Sequence, residues 1–382
     1  MVERGFPEAE YRARLARAQE MMVEADLSAL LLTTEPEIRY FTGFLTRFWA
    51  SPTRPWFLVV PAQGAPVAVI PSIGEALMAQ TWITDIRIWS SPDLEDDGVS
   101  LLADTLAKIA PGRIGVPDGA ETHLRMPLAD WVTLQSKAPG CVFASDTGIL
   151  RRLRMIKSPA EIDKIQQSCG IAGRAFTRIG EIAREGVPLE DVFRRFQMLC
   201  LDEGADWVPY LAGASDQDGY ADVISPATPE PLAKGDILML DVGLVWDGYF
   251  CDFDRNFAIG PPSPRAASTH ARLIEATQAG FEAARPGATA TDLFHAMDAI
   301  ATGGKGTSDV GRLGHGLGMQ LTEWPSLIPQ DQTRLMPGMV LTLEPSIEVS
   351  PGRIQVHEEN ILITEAGAQC LTPPRGPEMP VL

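Results

Sequence analysis

Apolar and polar positions along this chain switch between two periods. Residues 7–25 carry apolar side chains at helical spacing, and the run SALLLTT at 28–34 suits a buried strand. Further β-rich runs lie at 56–61 (WFLVVP) and 66–71 (PVAVIP), with helical patterns near 99–110 and 125–137. This alternation predicts an α/β domain ending near residue 150. Ser158, Pro159, Ala160 and Glu161 then form a helix start, with Ser at the N-cap, Pro at the first helical position and Glu at the third. Ile162, Ile165, Cys169, Ala172, Phe176 and Ile179 follow at spacings of three and four, so a long helix with one buried face is expected. Another helix is predicted over about 189–203, with counterparts near 266–285 and 291–301. Strands near 237–243 and 249–258 face each other across Trp246-Asp247-Gly248, whose Asp-Gly pair is a hairpin signal.

The later part of the pattern repeats. Glu181-x-Ala183-Arg184-x-Gly186 leads to Asp191-Val192-Phe193, and about a hundred residues on Glu282-x-Ala284-Arg285-x-Gly287 leads to Asp292-Leu293-Phe294. Downstream of each, an apolar run starts at a glycine and reaches an acid: Gly235 to Asp241 in GDILMLD, and Gly338 to Glu344 in GMVLTLE. Asp241 is followed by Asp252 and Glu344 by Glu358. The layout predicts a duplicated α+β unit whose halves each supply a carboxylate pair. Acids on strands are costly to bury, so their convergence implies positive charge between them, most simply metal cations.

At 382 residues with 45% hydrophobic content, the chain can build two domains, with boundaries expected at 1–155 and 156–382. A formal net charge of −18 disfavours nucleic acid and anionic membrane surfaces as partners. The N-terminus is charged and amphipathic, unlike a secretory signal, and no apolar run reaches the length of a spanning helix. Five dispersed cysteines, Cys141, Cys169, Cys200, Cys251 and Cys370, point to reduced thiols in a cytoplasmic protein.

In chain order the acids and one histidine stand as Asp241 in DVG, Asp252 in CDFDR, His315 in GHGLG, Glu344 in LEPS and Glu358 in HEENILIT. This constellation resembles the M24 metallopeptidase family of the creatinase, prolidase and aminopeptidase P type. The resemblance extends over nearly the whole chain, including Tyr40-Phe-Thr-Gly-Phe44 in the first half. It implies a pita-bread catalytic domain with a pseudo-two-fold repeat, preceded by a smaller α/β creatinase-type N-terminal domain. It also implies two divalent metal ions: Asp241 on one, Asp252 and Glu358 bridging, and His315 and Glu344 completing the other. Such a donor set suits manganese first, then cobalt, iron or zinc, and paired ions activate water and polarise a carbonyl. The implied activity is hydrolysis of a C–N amide bond in a dipeptide or small metabolite, with Glu344 as proton shuttle. Family dimers further imply a homodimer in which the loop Phe48 to Trp56 of one subunit acts as a lid for the other.

The resemblance breaks at the substrate side. Family peptidases carry a histidine before the first Asp ligand, and residues 204–240 contain none. Thr322, Gly311 and Val356 stand where two further histidines and an arginine are usual. Thr322, His357, Arg312 and Tyr220 are the candidates to replace them, with Trp49, Trp56, Trp207, Tyr220 and Trp324 expected to line the pocket. Asp254, where the family has Thr, is expected to pair with Arg255. His123, His270 and His295 read as structural, and Asp247 as turn chemistry. Aromatics near a cation site keep a second reading open, a metal-dependent lyase acting on a zwitterion such as dimethylsulfoniopropionate. A third is a pita-bread binding protein without catalysis, and the intact ligand set argues against it and against the metal-free hydrolases of this fold.

Overall fold

The computed structural model describes residues 2–51, 54–304 and 311–382, and divides the chain into a unit over 3–154 and a unit from 155 onward. The first unit runs α1 (Glu8–Glu24), β1 (Ala29–Leu32), α2 (Glu35–Thr42), β2 (Phe57–Pro61), β3 (Val67–Pro71), α3 (Glu75–Met78), β4 (Asp85–Trp89), α4 (Val99–Ile109), β5 (Gly112–Val116), α5 (Leu128–Lys137), β6 (Cys141–Ser145) and α6 (Ile149–Met155). Its sheet has the order β4-β3-β2-β1-β5-β6, antiparallel at β1–β2 and β2–β3 and parallel elsewhere. Every residue of β1 is buried, as expected of a strand covered on both faces. Leu102, Leu106 and Leu134 from α4 and α5 close one face over Leu31, Val59, Val69 and Ile114.

The segment expected to form a lid lies partly outside the described residues, at Pro52 and Thr53. Its tryptophans pack inward. Trp56 is 2% exposed, with its ring 5.3 Å from Phe44 and 5.5 Å from Trp49. Its indole lies over Gly74, where a Cβ would approach it to 2.2 Å. Arg125 fixes the other end by donating to the carbonyl of Trp49. Trp49 and Trp56 are therefore core residues of this unit rather than open pocket walls, because both rings find apolar partners inside it.

The second unit contains α7 (Pro159–Thr177), α8 (Leu189–Asp202), β7 (Trp207–Gln217), β8 (Asp236–Trp246), β9 (Tyr249–Phe250), β10 (Phe253–Ala258), α9 (Pro264–Ala283), α10 (Ala290–Ala301), β11 (His315–Gly316), β12 (Glu323–Ser326), β13 (Val340–Leu343), β14 (Ser346–Ser350), β15 (Arg353–Val356), β16 (Glu359–Thr364) and β17 (Gly367–Cys370). The sheets are antiparallel, one ordered β10-β8-β7 with β9 on β8, the other β12-β11-β13-β16-β17, and β14 pairs with β15. α7 starts at the expected capping box, in which Ser158 Oγ accepts from Glu161 N–H and Glu161 Oε2 accepts from Ser158 N–H. Its apolar face sets Phe176 against Phe196, Phe253 and Phe257.

The repeat is visible in the backbone. Gly186 N–H donates to Leu232 and Leu232 N–H to Val187; in the second half Gly287 donates to Leu335 and Leu335 to Ala288. Gly235 and Gly338, at the head of the two acid-bearing strands, have φ of +93° and +92°. Both turns thus need the left-handed region that glycine enters without a Cβ penalty. The β8–β9 hairpin turns at Asp247 and Gly248 with φ of +48° and +79°, a type I′ turn. Asp247 is more than turn chemistry, since its carboxylate also pairs with the buried Lys164 of α7.

The two sheets are stitched by Asn360 on β16. Its Nδ2 donates to the carbonyl of Asp252 and its Oδ1 accepts from Asp252 N–H at 3.0 Å and from Cys169 Sγ at 3.3 Å. Replacing Asn360 by Ala leaves both peptide groups of a buried acid unpartnered, a loss of about 3 kcal/mol. Urea unfolding of Asn360→Ala should show that loss, and a change below about 1 kcal/mol would mean that Asp252 is held by other contacts.

Candidate metal centre

Each of the two sheets brings acids to one cleft. Asp241 sits mid-strand in β8 opposite Asp254 on β10, so Asp252 occupies the break between β9 and β10 rather than the ladder itself. His315 opens β11, Glu344 follows β13, and Glu358 lies between β15 and β16. His315 is placed by its flanking glycines: a Cβ on Gly314 would lie 2.3 Å from the Thr342 carbonyl, and one on Gly316 would lie 2.4 Å from that of Trp324. Only glycine allows these strands so close. Thr342 Oγ1 accepts from His315 N–H, and His315 Nδ1 donates to the Gly316 carbonyl at 2.9 Å. The Nδ1 proton being used there, Nε2 offers its lone pair to the cleft.

His315 Nε2 lies 3.4 Å from Asp252 Oδ2 and 3.9 Å from Glu344 Oε2. Donor atoms of Asp252, His315 and Glu358 lie within 4.8 Å of one another. Among the described residues, Asp241 Oδ1 and Glu358 Oε1 are buried without a hydrogen-bond partner. Burial, and next the Asp241 charge, push the Asp252 carboxyl well up; burial and the Asp252 charge do the same to Glu358. Burial raises Asp241 to about 6 and Glu344 to about 8, and lowers His315 to about 4. Orphaned carboxylate oxygens beside a neutral imidazole fit divalent cations, which remove the repulsion that otherwise forces protons onto the acids.

Two further side chains act on this cluster. Tyr210 on β7 donates its hydroxyl to Asp241 Oδ2 at 3.0 Å. The sequence marks Tyr210 by no motif; only its register, opposite Gly243 and two residues from Asp241 along β8, reveals it. The Arg312 charge opposes the rise in the carboxyl pKa of both Asp252 and Glu344, and its Nη1 also donates to Ser326 Oγ at 3.4 Å.

Tyr220 and His357, two of the other expected site residues, take structural places outside the cluster. Tyr220 is fully buried; its hydroxyl donates to Asn256 Oδ1 and accepts from Val356 N–H, making it a strut between β10 and β15 rather than a pocket wall. His357 turns away from Glu358, toward Glu359 at 3.2 Å and a cavity beneath α9. It therefore does not share the cleft with the acids. Arg255 pairs with Glu359 at 2.9 Å and not with the Asp254 carboxylate, which instead accepts from Glu358 N–H at 2.9 Å. Adjacent residues on a strand point to opposite faces, which separates the Asp254 and Arg255 side chains. Trp207 is 42% exposed at the start of β7, Trp324 donates its indole N–H to Thr333 Oγ1, and Thr322 is half-buried just before β12.

A carboxylate-rich cleft with one imidazole, on a duplicated α+β unit, has the donor set of a divalent-metal centre, and the family match makes the chain a metallohydrolase. The chain belongs to Metallopeptidase family M24, which residues 163–365 match, and residues 14–156 match the Creatinase/Prolidase N-terminal domain. It is 31% identical over 377 residues to the probable dipeptidase PepE of Mycobacterium tuberculosis, covering 96% of each chain. The crystal structure of dipeptidase PepE from Mycobacterium ulcerans superposes with a TM-score of 0.84 at 28% identity, over 99% of both chains. Prolidase from Thermococcus sibiricus shares the fold, with a TM-score of 0.86 at 23% identity over 97% of this chain and 99% of that one. The duplicated pita-bread architecture and the creatinase-type first domain expected from the sequence are thereby borne out.

The metal-free protein should respond to pH in a defined direction. Glu344 holds its proton up to about 8 when folded, against 4.5 for the ordinary carboxyl. Its contribution to stability is complete below the unfolded value and disappears as pH rises through the folded one. Melting temperature without metal should therefore fall between about pH 4.5 and 8, and saturating manganese should flatten the profile. Parallel profiles with and without metal would show that the acids are not where cations bind.

Proposed function

We propose that this chain hydrolyses the amide bond of dipeptides using two divalent ions, manganese first, held by Asp241, Asp252, His315, Glu344 and Glu358. The observation carrying this reading is one acid cluster in a family M24 chain: Asp252 and Glu344 lie 3.4 and 3.9 Å from His315 Nε2, and Asp241 and Glu358 each keep a buried oxygen without a hydrogen-bond partner. Relatives named dipeptidase at 31% identity over nearly the full length support the substrate class. Bound there, the ions lower the pKa of a water molecule and polarise the scissile carbonyl. Glu344, with its side chain 24% exposed, takes a proton from the attacking water and passes it to the leaving amine. His315 keeps its acceptor nitrogen toward the cleft, and Tyr210 holds one oxygen of Asp241. Arg312, whose Nη1 donates to Ser326 Oγ of β12, receives the carboxylate of the dipeptide, and Thr322 before that strand and Trp324 within it are the proposed further contacts.

No observation favours the lyase reading, because Tyr220, one of the aromatics expected to cage a cation, has its ring in the core. A cytoplasmic location is supported by five cysteines free of disulfides. No helix among the described residues is long and apolar enough to cross a membrane. A homodimer is supported by apolar surface on the first unit: Leu128 and Val132, one turn apart on α5, are 78% and 58% exposed, and Val142 on edge strand β6 is 63% exposed. Light scattering should give twice the chain mass of 41.4 kDa, and a single-chain mass removes the dimer.

Manganese-loaded protein should bind about two ions and cleave dipeptides; Asp252→Ala should lose metal, and Glu344→Gln should lower kcat by about 10³-fold. Full metal occupancy without cleavage of any dipeptide would overturn the reading. Xaa-Pro substrates should be the poor class, because Thr322, Gly311 and Val356 offer none of the imidazole or guanidinium donors usual in family peptidases. Loss of two such donors raises the barrier by roughly 5 kcal/mol, or 10³- to 10⁴-fold. Their kcat/KM should fall below about 10⁴ M⁻¹s⁻¹, and efficient cleavage would mean that Arg312 and its neighbours replace those donors fully.

A further inference from the structure

A second cavity, of about 250 Å³, lies on the helix side of the metal-bearing sheet and is built wholly from the second unit. Its walls are Ile274 and Phe281 of α9 and Ile361 of β16, and Arg375 from the tail after β17 contributes the cationic lining. Among the described residues Arg375 has no carboxylate at ion-pair distance; its recorded neighbour is the Phe257 ring, with the guanidinium carbon 5.9 Å from the centroid. His357 also lines the cavity and is 1% exposed, its ring held on both sides by acids, with Nδ1 3.6 Å from Asp254 Oδ1 and Nε2 3.2 Å from Glu359 Oε1. Glu359 is the one acid in the lining, and it is neutralised from behind by Arg255 at 2.9 Å and held by Thr372 and His357. The net result is an apolar slot whose cationic group is the Arg375 guanidinium. Such an arrangement is complementary to an apolar body carrying a carboxylate.

We propose that this cavity binds a small monocarboxylate with a branched or aromatic body, its carboxylate on Arg375 and its body between α9 and β16. The site is separate from the metal cleft: the cavity is lined by Leu343 and His357, while their chain neighbours Glu344 and Glu358 carry the metal-facing carboxylates. A ligand there presses on the residues immediately before two metal ligands. Occupancy therefore alters kcat without competing with the substrate.

Isothermal titration of the manganese-loaded protein tests this directly, with phenylacetate and 4-methylpentanoate in one arm and phenylalanine and leucine in the other. The two arms distinguish a free organic acid from an amino acid, both of which carry the required chemistry. Saturable binding is expected, weakened at least about tenfold by Arg375→Gln, a variant whose dipeptide cleavage without ligand stays near that of the parent. Ile274→Trp, which fills the slot from α9, should abolish binding with the same basal activity. Cys370, half-buried in the cavity lining, gives a readout independent of activity: bound ligand should slow its alkylation at least about fivefold, while Cys141 in the other unit reacts at an unchanged rate. Absence of saturable binding in both arms overturns the proposal. Binding that Arg375→Gln leaves unchanged, or inhibition competitive with the dipeptide, places the carboxylate on the metal ions and overturns it equally.

Discussion

Like charge in a buried cleft is the constraint on which the second unit depends. Two carboxylates about 4 Å apart repel by about 4 kcal/mol at the effective dielectric of a protein, and several such pairs rival the whole stability of a domain. Asp241, Asp252, Glu344 and Glu358 cannot all be ionised there without compensation. Protons supply it in the metal-free protein, as the raised carboxyl pKa values express. Cations supply it otherwise, and they leave the acids ionised. The same repulsion that makes the fold expensive to assemble makes the cleft a strong cation site.

Duplication distributes that cost over two scaffolds. Each half starts from a glycine in the left-handed region, Gly235 or Gly338, and carries an apolar strand to its acid. The strands are buried nearly throughout, so hydrophobic burial on the helix side offsets charge exposed to the cleft side. Asn360 then joins the halves by bonding both peptide groups of Asp252. Tyr210 and the Thr342 hydroxyl fix Asp241 and His315 in turn. The atoms of the cluster are thus held by groups outside it, which is what keeps a repulsive cluster in one geometry.

Much of this was legible in the sequence because it depends on local patterns. The capping box at Ser158, the Asp247-Gly248 turn and the doubled glycine-to-acid strands each follow from a few adjacent residues. What escaped depends on register. Tyr210 meets Asp241 only because β7 pairs with β8, and Lys164 meets Asp247 only because α7 packs over that hairpin. Arg255 pairs with Glu359 across strands although Asp254 is its chain neighbour. The aromatics misled for a related reason: Tyr220, Trp49 and Trp56 have the composition of a pocket, yet each ring found apolar partners within its own unit. Residue type alone does not distinguish a binding wall from a core.

The metal shell was easier to read than the substrate shell for a physical reason. The five cluster residues sit on strands or directly at strand ends, positioned by ladder hydrogen bonds and by backbone contacts that admit only glycine, as at Gly314 and Gly316. Changing any one of them leaves a buried charge uncompensated, so the residue types permitted at these positions are few. The proposed substrate side would be built from the connections around Arg312 and Thr322, where exposure is partial and the backbone is irregular. There a histidine can be lost and its role taken by an arginine several residues away, since a long side chain reaches the same volume from a different anchor. Under the proposed dipeptidase reading, specificity rests on which cation reaches the substrate carboxylate, and that is decided by side-chain reach rather than by the duplicated scaffold.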